Sequence, residues 1–376
     1  MRRRAGAAAI AALAVFGGVG VAASVPATAG SPAPPIVLSP QGNDLDAYTA
    51  TPPFRAQTVV THRDADPKGF DINGQVCFLD RHRFVAGEDT NQPNPPAGWG
   101  IFRLRGTSVG KLSATRLGRL VPTYQPTDEG PDTYGCGVLR DGRIVTTVIG
   151  NNASGPEDGE LVIWYPPFDS VRGAKFCILD TTIGTAMGIA VDREDRVYVA
   201  SARGATAGVL RYTGPFPTAP TAAGGCSGTD AAGSPQADTV EREQFIASGQ
   251  DNPLVSPNGI ARTKAGGFYV SSIFNGIIAE FDGDGGYVRS ILEPPAGESL
   301  GAEPYSTGTP LGLAVGPDGT LFYADLGLVI DGTDIGPADG KGTVRRIRFR
   351  AGEPQPPETM ADGLTFPDGL GIYKPR

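Results

Sequence analysis

Histidine is almost missing from this chain. Its 376 residues hold two, His62 in a stretch of strand character and His82 in a turn. A Ser-His-Asp triad or a His-ligated transition metal therefore has no candidate residues where the repeats described below converge. No Gly-rich loop joins a strand to a helix, so nucleotide binding has no support. Sustained helical periodicity is absent as well, and helix is expected to be scarce. Basic residues are outnumbered, 32 Lys and Arg against 40 Asp and Glu. Their one dense run, Arg345, Arg346, Arg348 and Arg350, has the spacing of a solvated outer strand. This acidic balance argues against nucleic acid or an anionic membrane as a partner.

What the chain has in quantity is turn formers, with 54 Gly and 34 Pro, as many short strands would require. The clearest unit is S-P-N-G-I-A-R-T-K-A-G-G-F-Y-V-S-S at 256–272. It reads as a β-hairpin turning at Gly266-Gly267, with Phe268-Tyr269-Val270 as the returning strand. Related units open at Gly74, Gly137, Gly188, Gly259, Gly312 and Gly369, at intervals of 63, 51, 71, 53 and 57 residues. A third strand candidate follows most hairpins, at 100–103, 161–164, 208–211, 277–280 and 343–346, and often a fourth, as at 175–178 and 287–290. Four antiparallel strands repeated at a period of about 60 residues describe an all-β protein, a β-propeller.

The pattern runs from about residue 55 to the end as one domain. Ala56–Thr61 reads as the outermost strand of a blade whose inner strand is the C-terminal Asp368–Tyr373, and joining the two closes a six-bladed ring without exposed edges. The middle strands of that blade are not evident in residues 30–54, which read as a Pro-, Ser- and Thr-rich surface segment, so a five-bladed ring is the alternative. Residues 213–240 and 88–98 exceed what hairpin loops need, and one of them is a candidate lid, with inert surface loops the equal alternative; residues 327–342 are a further Gly- and Asp-rich loop. The Asp282–Gly285 stretch lacks the rest of an EF-hand loop and reads as a tight turn.

Residues 1–29 have the form of a secretory signal: Arg2 to Arg4, an apolar run over 7–21, and Ala27-Thr28-Ala29 as a cleavage site. The mature chain is expected to be exported, without membrane insertion. The four cysteines, Cys77, Cys136, Cys177 and Cys226, allow three pairings. Pairing 77–136 and 177–226 links inner strands of successive blades and the flanks of blade three; buried free thiols are the equal alternative. Their spacing does not suit a zinc knuckle.

In a propeller, the residue before each repeat glycine stands at the mouth of the central channel. That ring is Asn73, Cys136, Met187, Asn258, Leu311 and Asp368. The second strands end on the same face, adding Glu88, Asp89, Thr147, Ser201, Ser272, Asn275 and Asp325. The polar members are oxygen donors without sulfur or imidazole, which suits calcium or another hard divalent cation.

The units S-P-N-G-I-A with F-Y-V-S-S, P-L-G-L-A-V-G-P-D-G-T-L-F-Y-A-D at 310–325 and F-P-D-G-L at 366–370 resemble the SMP-30/gluconolactonase/LRE-like family of six-bladed propellers. The resemblance covers about residues 55–376. It implies a divalent cation, often calcium, held at the channel mouth by a Glu, an Asn and an Asp, and hydrolysis of a small lactone or ester. Position by position, the family's Asn falls on Asn258. Its Glu falls on Asn73, and its Asp falls on Leu311, with the matching P-D-G one blade later at Asp368. The implied metal ligands are Asn73, Asn258 and Asp368, and the implied base is Asp325 or Glu88. A non-catalytic propeller binding a small ligand or a protein partner is the alternative.

Overall fold

Residues 257–292 show how the chain folds. Pro257–Arg262, Phe268–Ser272, Ile277–Phe281 and Tyr287–Leu292 pair in sequence order as antiparallel strands. Gly266, at φ +99°, closes the first turn where an L side chain would be strained. The expected tight turn at Asp282 forms, with the amides of Asp284 and Gly286 donating to Asp282 Oδ1 at 2.9 and 2.8 Å.

The computed structural model describes residues 33–61, 71–89, 98–121, 133–150, 157–168, 174–230, 233–249, 251–294, 308–331, 334–337 and 340–375. The signal segment at 1–29, His62 and residues 90–97 lie outside them. Six sheets, each built on four strands, follow the same order from the inside out. Their inner strands are Asp71–Phe78, Thr133–Val138, Ala186–Val191, Pro257–Arg262, Pro310–Val315 and Gly371–Tyr373. We number the blades one to six in that order. The third- and fourth-strand positions expected from the sequence all fall within strands. Among the described residues the helical content is three single 3-10 turns.

Blade six closes the ring and corrects the sequence reading. Ile36–Gln41 and Asp44–Thr49 supply the two middle strands, and Ala56–Val60 is the outermost. Ile36 pairs with Tyr373 and Leu38 with Gly371. Residues 30–54 are therefore not a surface wrap: Val37, Leu38, Leu45, Ala47 and Tyr48 are buried. The ring has six blades, not five.

Six clusters of buried apolar residues fill the gaps between neighbouring blades among the described residues. Trp99 of blade one meets Trp164 of blade two, ring centroids 5.8 Å apart. Each gap removes large side chains from water, at roughly 1.5–3 kcal/mol for each fully buried one. Disulfides join Cys77 to Cys136 and Cys177 to Cys226. Closing loops of 59 and 49 residues, each limits the unfolded chain by about 4 kcal/mol in the loop-entropy model.

The second disulfide clamps the long insertion of blade three onto its neighbour. Pro235–Gln236 joins the outer strand of blade two, Lys175–Ile183, with Gln236 opposite Ile178. The segment extends a sheet rather than covering the channel, so it is not the expected lid. Leu328–Asp331 and Asp334–Pro337 form a small hairpin within 327–342.

Candidate functional site

The inner strands pack so closely that the repeat glycine is obligatory. A Cβ on Gly74 would overlap the Tyr134 carbonyl, on Gly135 that of Met187, and on Gly188 that of Asn258. The ring continues from Gly259 to Leu311, Gly312 to Asp368 and Gly369 back to Gly74. Hydroxyls fasten two of these contacts in the same way. Thr147 Oγ1 accepts from the Gly135 amide and donates to the Met187 carbonyl, each at 2.7 Å. Ser271 Oγ does the same between the Gly259 amide and the Leu311 carbonyl, each at 2.7 Å.

This ring moves the blade-two position by two residues. The glycine equivalent to the others is Gly135, so the mouth residue is Tyr134, not Cys136, which is held in a disulfide. A shift of two leaves the strand's facing unchanged, and Y-G-C-G offers two glycines, so alternation alone did not separate them.

The six mouth residues Asn73, Tyr134, Met187, Asn258, Leu311 and Asp368 all line one cavity of about 530 Å³. The three expected metal ligands are thus brought together. Asn258 is buried and its Oδ1 has no hydrogen-bond partner. Leaving such an oxygen unmet costs about 1–3 kcal/mol. Asn73 Oδ1 accepts from Thr133 Oγ1 at 2.9 Å, and Asp368 Oδ2 accepts from the Gly74 amide at 2.8 Å. The Tyr134 hydroxyl donates to the Asp368 carbonyl at 2.9 Å. Burial, and then the Asp368 carboxylate, hold that phenol well above its ordinary pKa, so it stays protonated. Two amide oxygens and one carboxylate fit a hard cation, with low affinity expected from a single formal charge. No cluster of three or more His, Cys, Asp or Glu suited to a metal occurs among the described residues.

The two residues expected to act as base stand elsewhere. Glu88 pairs with Ile72, Ser201 with Ala186, Ser272 with Pro257 and Asp325 with Pro310, which is one slot at the end of the second strand in four blades. None of the four lines the cavity. Ser272 Oγ accepts from the amides of Val255 and Ser256 at 2.9 and 3.1 Å. Asp325 Oδ1 accepts from the amides of Thr309 and Gly327 at 2.8 and 3.2 Å. Glu88 is fully buried and ion-paired to Arg116 and to Arg119, the latter at 2.7 Å. Burial pushes the pKa of Glu88 up against the pull of the two guanidiniums, and that of Asp325 up against its amide donors and Arg345. Asn275 Nδ2 donates to the Pro253 carbonyl at 2.7 Å. Second-strand ends thus hold neighbouring loops in place or, at Glu88, the outer strand of the same blade.

Sequence reasoning missed Arg203 and Phe366. Arg203 is the one cationic side chain among the described residues of the cavity wall, and its Nε donates to Thr185 Oγ1 at 2.9 Å. Phe366 lines the rim at φ +52°, a left-handed conformation costing roughly 1–2 kcal/mol for a residue with a Cβ. Arg203 lies outside the repeat pattern, and Phe366 opens the F-P-D-G-L unit two residues before the mouth position that the pattern singles out.

No protein-family model matches the sequence, and no curated protein does. Solved structures that resemble the chain include one from a nidogen/laminin complex, 11% identical over 90% of this chain and 98% of that one, TM-score 0.53. Another is a luciferin-regenerating enzyme, 12% identical over 89% and 99%, TM-score 0.51. A regucalcin from Agrobacterium tumefaciens, described as calcium-binding, is 14% identical over 78% and 77%, TM-score 0.44. At these identities the likeness shows the fold alone, the propeller described above. The first two come from a protein–protein complex and an enzyme, so the fold alone does not choose a function.

Proposed function

We propose that this protein is an exported hydrolase that opens a small lactone or ester at the channel mouth with the aid of a divalent cation, calcium by the chemistry of its donors. The observation that carries the reading is the buried Asn258 Oδ1, without a hydrogen-bond partner, in the same cavity wall as Asn73 and Asp368. Those three side chains would hold the ion, which when bound polarises an ester or lactone carbonyl. Asp368 is the one carboxylate on the described cavity wall, so acceptance of a proton from water falls to it rather than to Asp325 or Glu88. The Gly74 amide fixes its Oδ2. Export is supported by the character of residues 1–29 and by two disulfides.

The test is a panel of lactones and aryl esters assayed with calcium, with chelator, and with Asp368→Ala. Calcium-dependent turnover lost in the variant is the expected result; no turnover at millimolar calcium overturns the reading. A second reading, a propeller that binds a small ligand without catalysis, is favoured by one observation. Both acids expected as base are occupied elsewhere, Asp325 by loop amides and Glu88 by two arginines of the outer strand of blade one, Ser113–Leu120.

A further inference from the structure

The wall of the cavity mixes polar and apolar side chains. Blades one to three contribute Asn73, Thr133, Thr185 and Arg203 beside Ile149 and Met187. Blade four, blade five and the link into blade six contribute Val255, Ile273, Phe274, Leu311, Leu326 and Phe366 beside Ser256, Asn258 and Asp368. Three of these apolar side chains stay in water, Val255 60% exposed, Phe274 50% and Phe366 37%. Only two other large hydrophobic residues are exposed among those described, Tyr287 and Val288 on the outer strand of blade four. Isolated exposed apolar residues are ordinary, but three at the rim of one concave cavity mark a binding surface.

Resting on the proposed hydrolase reading, we infer that the substrate is an amphiphile: a lactone or ester bearing an alkyl or aryl body, seated on Val255, Phe274 and Phe366, with its oxygen-bearing end towards Asn258 and Asp368. A polyhydroxylated lactone would set hydroxyls against the arc of Val255, Phe274 and Phe366, whose side chains offer no hydrogen-bond partner. An alkyl body gains about fourfold in affinity for each methylene the arc removes from water. Phe366, in its left-handed conformation immediately before Pro367-Asp368, lines the same cavity as the Asp368 carboxylate.

The test uses the full mature chain and two ligand series measured by calorimetry and by turnover. One is γ-lactones with butyl to decyl chains, the other the matching 2-alkyltetrahydrofurans, which cannot be hydrolysed. Affinity in both is expected to rise with chain length, with glucono-δ-lactone binding more weakly than the butyl lactone. Phe274→Ser and Val255→Ser should flatten the chain-length slope, and Val288→Ser on the outer strand should leave it unchanged. A rising slope in the ether series without lactone turnover upholds the amphiphile-binding surface and removes the hydrolase reading, and with it the lactone as substrate. Lactone turnover with affinity independent of chain length overturns the inference and leaves the hydrolase reading standing. No binding of either series overturns the inference.

Discussion

Inner strands and second strands both deliver polar side chains to the same face of the propeller, about one residue apart in depth, and they do different work. Asn73 and Asn258 stand near the start of inner strands and Asp368 just before one, and all three line the cavity. Glu88, Ser201, Ser272 and Asp325 end second strands and are buried behind it, the last three hydrogen-bonded to the loops that follow or precede the strands and Glu88 ion-paired to the outer strand of blade one. The difference follows from topology. An inner strand has no hydrogen-bonded strand on its channel side, so the side chain at its entry meets open space, whereas a second strand is flanked on both sides and its last side chain meets backbone amides or neighbouring side chains.

The comparison breaks first, if anywhere, at Glu88. Glu88→Ala leaves Arg116 and Arg119 with a lost buried partner, and should cost about 3–5 kcal/mol in urea unfolding. A cost below 1 kcal/mol would place Glu88 among the dispensable groups instead. Asp325→Ala should cost about 2–3 kcal/mol, because the Thr309 and Gly327 amides lose their acceptor.

Glu160 is a third kind of buried acid, on a third strand. Neither of its carboxyl oxygens has a hydrogen-bond partner. Burial first, then the charges of Asp230 and Asp158, push its pKa from 4.5 to about 8. A raised folded-state pKa means the folded chain holds a proton that the unfolded chain releases, so the contribution is full below pH 4.5 and lost as pH rises to about 8. Thermal stability should fall by about 1–2 kcal/mol between pH 6.5 and 8, and Glu160→Gln should remove that slope; an unchanged slope would show that Glu160 is ionised throughout. The smallest stability effect belongs to the mouth. Asp368→Asn keeps an acceptor for the Gly74 amide and should shift unfolding by less than about 1 kcal/mol, while weakening cation binding at least tenfold.

Much of the fold was legible because the repeat is written in close-contact glycines. The hairpin at 256–272 could be read residue by residue, as could third strands such as 161–164. Blade six was not, since its middle strands are short and lie among Pro and Ser: the alternation in I-V-L-S-P-Q and D-L-D-A-Y-T is too brief to stand out before its C-terminal partner is known. At the site, Asn258 and Asp368 could be placed from the residue before each glycine. Tyr134 could not, because two glycines in Y-G-C-G satisfy the same alternation. Asp325 and Glu88 were assigned to chemistry because a sequence gives the strand end but not which side chain has backbone amides or guanidiniums within reach.

The most direct measurement compares Asn258→Ala with Ser272→Ala, two changes in one hairpin, by calcium calorimetry and thermal unfolding on the same samples. The account predicts that Asn258→Ala loses calcium binding with its melting temperature nearly unchanged, and that Ser272→Ala binds calcium but melts lower. Equal calcium affinity in both variants and the wild type, or no binding by any of the three, would contradict it.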